Sequence, residues 1–113
     1  MPDLSLPHAP NTAEARVSVQ DALGLHARPA GRIALAARNY SCAISLVWGE
    51  QEADAKSILD ILTLAVPCGS VLTVRCQGED AADACAALCQ LFAPVQSSGL
   101  WTAVDAGMEG GNG

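Results

Sequence analysis

Two side chains that could do chemistry together, His26 and Arg28, lie in the stretch Gly24-Leu25-His26-Ala27-Arg28-Pro29-Ala30. An imidazole is a nucleophile that also leaves readily, and a guanidinium fork can grip two oxygens of one anion. Pro29 is barred from a helix interior but suits a first turn, where its missing N–H costs nothing. A helix is therefore predicted to start at about His26 or Ala27. No Ser, Thr, Asp or Asn stands beside that start, so its first N–H groups have no evident side-chain cap. Free amides at the positive end of a helix dipole form an anion site. Nucleophile, cation and uncapped helix start together suggest phosphate. The plainer alternative is a surface or capping histidine, and chemistry alone leaves both readings open.

The stretch Gly-Leu-His-Ala-Arg-Pro-Ala resembles the active-site signature of the HPr family, the histidine phosphocarriers of the bacterial phosphotransferase system. A second likeness, Lys56-Ser57-Ile58-Leu59, lies where that family has its regulatory serine. The resemblance covers roughly Ala15 to Ala93. It implies that enzyme I phosphorylates His26 on Nδ1, at the expense of phosphoenolpyruvate, and that an enzyme IIA protein or domain takes the group for sugar uptake. Arg28 and the backbone of Ala27 and Arg28 would hold the phosphoryl oxygens. The implied role is a phosphoryl carrier rather than a free-standing enzyme, with no cofactor and no metal. Ser57 would be a regulatory site for HPr kinase, and Ile58, Leu59, Leu62, Ala30 and Arg32 would dock partners.

Some residues depart from the family pattern. Asp60 stands where many relatives have glycine, and it would repel a phosphate on Ser57. Leu23, before Gly24, is a choice common in the nitrogen-type branch. Leu64-Ala65-Val66-Pro67 also differs from the usual segment. A carrier feeding a nitrogen-type or other regulatory chain is therefore the second reading. A non-catalytic α/β binding domain with an incidental His26 is the third.

The elements that must position these residues come from a chain of 113 residues, enough for one small domain. Half the residues are apolar, yet there are only two Trp, one Tyr and one Phe, so the core must be built from Ala, Leu, Ile and Val. A net charge of −6 argues against general nucleic-acid binding. Arg28, Arg32 and Arg38 nevertheless share one predicted helix without acids, which makes the local field positive. The five cysteines are odd in number and lack a C-x-x-C pair; reduced thiols in a cytoplasm are the simplest reading. Zinc held by Cys85, Cys89 and a histidine has no accepted ligand spacing. No signal peptide or membrane-spanning run is evident, so no membrane insertion is expected.

In chain order, residues 1–14 read as a mobile tail with an incidental His8. Ala15–Val19 alternates as a short strand. In the first helix Ala30, Ile33, Ala34 and Ala37 form the apolar face, and Asn39-Tyr40 ends it. Cys42–Trp48 is a strand with Ile44 and Leu46 inward, followed by a turn at Gly49-Glu50 and an edge strand near Gln51–Asp54. Ser57-x-x-Asp60 is a capping box that opens a second helix through Leu64. Its surplus apolar residues are either a docking patch or cover for a neighbouring loop. Val71–Cys76 is a strand with Leu72 and Val74 inward. The last helix follows Asp80, buries Ala81, Ala84, Cys85, Leu88 and Leu91, and stops by Pro94. Residues 95–113 read as a second tail, with Leu100-Trp101 oddly apolar.

The order is thus βαββαβα, with one domain at 15–94. By resemblance the fold is α+β: an open-faced sandwich whose four-stranded antiparallel sheet is covered on one face by three helices. A monomer suits transient handoff.

Overall fold

Alternation of apolar and polar residues along the strands determines which face of the sheet is covered. In the computed structural model, which describes residues 11–95, the strands are β1 (Thr12–Ser18), β2 (Ala43–Trp48), β3 (Gln51–Asp54), β4 (Val71–Gln77) and the two-residue β5 (Ala93–Pro94). They form one antiparallel sheet in the order β3-β2-β4-β1-β5. Register aligns Ala53, Leu46, Val74 and Ala15 in one inward row, and Ile44 with Cys76 in another. Leu46, Val74 and Cys76 are fully buried. The opposite face carries Ser45, Thr73, Arg75, Glu14 and Arg16, and there Arg75 Nε meets Glu14 Oε2 at 2.7 Å. One face is packed and the other solvated, as alternating antiparallel strands require.

Three helices among the described residues cover the packed face: α1 (Ala27–Ala37), α2 (Ile58–Leu64) and α3 (Ala81–Cys89). Ala30, Ile33, Ala34 and Ala37 are all buried, the stripe expected from their spacing. Three of those four are alanines, which lets α1 lie close to its neighbours; Ile33 supplies the bulk, worth ~1.5–3 kcal/mol on full burial. Arg38 Nε donates to the Lys56 carbonyl at 3.0 Å, and Lys56 Nζ donates to the Tyr40 carbonyl at 2.7 Å. These bonds tie the end of α1 to the approach of α2.

Several expectations need correction. The sheet has a fifth strand, because Ala93–Pro94 pairs with Ser18 and Val17. Pro94 lacks an N–H and is tolerated only at such an edge. The hydroxyl of the buried Ser18 points to the Ala93 and Pro94 carbonyls at 3.4 and 3.3 Å. β1 begins at Thr12, so residues 12–14 belong to the sheet and not to a tail; Thr12 pairs with Gln77. α3 ends at Cys89, and Leu91, expected in its buried stripe, is 42% exposed. Asp80 is the N-cap residue of α3, but its side chain is engaged elsewhere. Its carboxylate accepts the Ser41 and Cys42 amides at 2.9 and 3.0 Å, fastening the start of β2 to the start of α3. The Ser41 amide first, then the Cys42 thiol and amide, hold the Asp80 carboxyl below the usual aspartate range.

All five cysteines are free. Cys42, Cys76 and Cys85 are buried, Cys89 is half-buried and Cys68 is exposed. Burial pushes the Cys76 thiol up to about 12 and the Cys89 thiol up to about 11, so neither ionises near neutrality. The expectations placed on His8, Leu100-Trp101 and the outer parts of both tails lie outside the described residues.

Candidate functional site

The segment between β1 and α1 is held by backbone. Val19 donates to Ser70 (2.9 Å), Gly69 to Val19 (2.7 Å) and Leu25 to Val66 (2.9 Å), which staples it to the segment between α2 and β4. Gly24 lies between these staples with φ +72°, a left-handed conformation. A Cβ there would stand 2.3 Å from the Val66 oxygen and 3.0 Å from Pro67 Cα. Glycine is needed twice over, for its backbone angle and for the close approach of the two loops. Leu25, next along, is buried. His26 thus follows a buried anchor and emerges at the surface.

His26 is the N-cap of α1, with extended backbone and no side-chain capping hydrogen bond. The first intrahelical bond is Ala30 N–H to the His26 carbonyl, 3.0 Å. Pro29 has no N–H, so the amides of Ala27 and Arg28 are the donors left open, and no acceptor takes them among the described residues. No acidic side chain lies in this first turn. Arg28 and Arg32 are exposed on the same helix. The pattern is that of a ready anion site.

Asp21 is the residue that sequence reasoning missed. Its Oδ1 lies 3.1 Å from His26 Nε2 and accepts the Leu23 amide at 3.0 Å, while Gly24 N–H donates to the Asp21 carbonyl at 2.8 Å. A carboxylate that bonds the amide two residues on is an Asx turn, and Asp-Ala-Leu-Gly is a sequence that makes one; this was the available signal. The Leu23 amide chiefly, with the His26 ring and Arg28, holds the Asp21 carboxyl below the ordinary aspartate range, against a partial loss of solvent. A carboxylate only accepts, so Nε2 carries the proton, and in the neutral ring Nδ1 keeps its lone pair.

The other candidates divide. Ser57 is the N-cap of α2, its Oγ accepting the Asp60 amide at 3.2 Å. The capping box is not reciprocal: Asp60 Oδ2 accepts the Asp54 amide instead, and Ser57 N–H donates to the Asp54 carbonyl. Leu59 is 75% exposed, so it does not lie against a loop, whereas Ile58 and Leu62 are partly buried against the core. Ala30 has no exposed surface and cannot dock a partner; it lies on the face of α1 turned to the core. No group of three or more His, Cys, Asp or Glu among the described residues is placed to hold a metal ion, and Cys85 and Cys89 gather no histidine. No described helix is long and apolar enough to cross a membrane.

Fold and site together define a small α+β domain that presents one histidine at an open, anion-ready helix start. Residues 13–94 match the family model described as the PTS HPr component phosphorylation site. The chain is 38% identical over 78 residues to the phosphocarrier protein NPr of Shewanella violacea, covering 69% of this chain and 86% of that one. It is 35% identical over 72 residues to the phosphocarrier protein HPr of Mycoplasma capricolum, covering 64% and 81% respectively. The crystal structure of HPr from Bacillus anthracis superposes with a TM-score of 0.67 at 33% identity, covering 72% of this chain and 96% of that one. This chain belongs to the HPr family of phosphotransferase-system phosphocarriers.

Proposed function

We propose that the chain accepts a phosphoryl group on Nδ1 of His26 from the phosphohistidine of enzyme I and delivers it to an enzyme IIA protein or domain. The observation that supports this most directly is the pair of open amides, Ala27 and Arg28, at the helix start that His26 caps without using its ring. Phosphoryl transfer needs mainly positioning and charge stabilisation. The two amides and the Arg28 guanidinium meet the phosphoryl oxygens. Arg28 serves better than a lysine would, because its fork can bind two oxygens at once. The carrier unit runs from Thr12 through Pro94, and it works in the cytoplasm between its partner proteins. Leu59 and Arg32, both exposed, with the outer parts of Ile58 and Leu62, make the docking face.

Ser57 is a regulatory site only where a matched HPr kinase is present. A phosphate on it would disrupt the Asp60 cap and meet the Asp60 carboxylate.

Sugar uptake is the first reading of the output. The nitrogen-type reading is supported by the likeness to the NPr of Shewanella violacea and by the leucine at position 23, which is exposed three residues before His26. A sugar-system IIA and a nitrogen-system IIA, each offered the phosphorylated chain, decide between them by which one discharges it. The carrier reading itself is tested with enzyme I and labelled phosphoenolpyruvate. Wild type takes up label, His26→Ala takes up none, and Arg28→Ala is slowed with its fold intact. Label retained in His26→Ala would refute the assignment.

A further inference from the structure

We propose that Asp21 is a positioning residue for phosphoryl transfer: its carboxylate fixes the proton on His26 Nε2 and then pairs with the charged ring once Nδ1 carries the phosphoryl group. The inference rests on the carrier reading but uses a contact which that reading does not need. Asp21 Oδ1 stands 3.1 Å from Nε2 and is itself fixed by the Leu23 amide at 3.0 Å. The Asx turn that makes this bond also sets the route into Gly24, so the carboxylate and the ring are held by the same few residues.

The consequence follows through the transfer. Before it, the ring is neutral, with its proton on Nε2 and its lone pair on Nδ1. When Nδ1 attacks, the bond between phosphorus and the donor nitrogen of enzyme I breaks and its electron pair returns to that donor. The new P–N bond leaves the His26 ring as an imidazolium that still carries its Nε2 proton. Asp21 now faces a cation rather than a neutral ring, and the hydrogen bond becomes a charge-assisted one. Onward transfer breaks the P–N bond, returns the electron pair to Nδ1 and restores the neutral ring with its proton where it began. No proton need leave Nε2 in the cycle. The carboxylate favours the charged phosphorylated ring, which is the form that gives up its phosphoryl group readily.

Among the described residues the charged groups about this pair are few. Arg28, from the first turn of α1, acts on Asp21. The loop packed on Gly24 contributes one titratable group, the Cys68 thiol, whose Sγ lies 3.8 Å from the Gln20 carbonyl. The ring and the carboxylate side chains are 32% and 44% exposed, so the effect is that of a half-exposed ion pair and is modest.

Two variants separate charge from geometry. Asp21→Asn keeps an oxygen for both the Leu23 amide and Nε2–H but loses the charge. Asp21→Ala loses both. Ring ¹⁵N spectra of the unphosphorylated proteins are expected to show a single Nε2–H tautomer in wild type and Asp21→Asn, and a tautomer mixture in Asp21→Ala. Phosphoryl loss from the phosphorylated chain is expected to slow at a lower pH in both variants than in wild type, because the anion that favours the charged ring is gone. A purely structural Asx turn would be rescued by asparagine in every readout, and an Asp21→Asn pH profile superposable on wild type would overturn the charge role. Identical ring spectra in wild type and Asp21→Ala would overturn the tautomer role. The ring spectra need no phosphate, so a chain that enzyme I fails to label would sink the carrier reading while leaving the Asp21–His26 contact separately decided.

Discussion

Replacing Gly24 by alanine tests how the site is built. Two costs are legible in the structure and one gain offsets them. A non-glycine residue at φ +72° costs about 1–2 kcal/mol. The new Cβ, 2.3 Å from the Val66 oxygen, must push the loop aside, and that oxygen accepts the Leu25 amide at 2.9 Å. Weakening that bond costs about 0.5–1.5 kcal/mol. The lower entropy of the unfolded alanine chain returns about 0.4–1 kcal/mol. The net loss is about 2 kcal/mol, or roughly 8–16 °C in melting temperature for a domain of this size. Gly49 is the matched control, since its φ is +61° and a Cβ there would meet nothing within 4 Å. Gly49→Ala should cost only the backbone part, about 1 kcal/mol or less. Urea unfolding of both variants measures stability, and the rate of phosphorylation by enzyme I measures the site. Gly24→Ala is expected to slow phosphorylation about tenfold or more through displacement of Leu25 and His26, and Gly49→Ala to leave it unchanged. Equal and small effects in the two variants would refute the claim that the staple between these loops positions the histidine.

Three further expectations follow from particular residues. Ala65 ends α2 with φ +55°, a left-handed conformation that favours glycine, so Ala65→Gly should raise stability by up to about 1 kcal/mol in urea unfolding; a loss would contradict the strain. The Asp80 carboxyl is depressed in the folded state, so its stabilisation is complete above the unfolded value of about 3.9 and is lost as pH falls through the lower folded value. The stability gap between wild type and Asp80→Asn should therefore hold steady near neutrality and shrink below about pH 4; a gap unchanged in strong acid would contradict this. Of the five thiols, Cys68 should react first with a thiol reagent in the native protein, Cys76 and Cys89 being held as thiols by burial. Equal rates in wild type and Cys68→Ser would contradict it.

What could be read from the sequence was what is local. Ala30, Ile33, Ala34 and Ala37 announce α1 by spacing, and Pro29 announces its start. Ser57 announces α2 because a cap needs only its own helix. The strand cores at Ile44, Leu46, Leu72 and Val74 show through alternation. Features made by distant partners did not show. Thr12–Glu14 looked like a tail because nothing local marks them as a strand; pairing with Arg75, Cys76 and Gln77 makes them one. Asp80 stands just ahead of the last helix in the sequence, yet its partners are Ser41 and Cys42, some forty positions earlier. Leu91 continued a helical stripe, but α3 had already ended and the chain turned to lay Ala93–Pro94 beside β1. The family likeness points Ala30 to a docking face, whereas the helical spacing it shares with Ile33, Ala34 and Ala37 puts it on the buried side. Asp21 shows in the sequence only as a turn residue, and the Asx turn it makes brings its carboxylate to the ring.

The most direct measurement compares amide ¹H–¹⁵N spectra of the chain before and after phosphorylation by enzyme I and phosphoenolpyruvate. The largest downfield amide shifts are expected at Ala27 and Arg28, the two open donors, with the phosphoryl group on Nδ1 of His26. Phosphate found on another residue, or on His26 with those two amides unmoved, would contradict the reading of this helix start as the phosphoryl site.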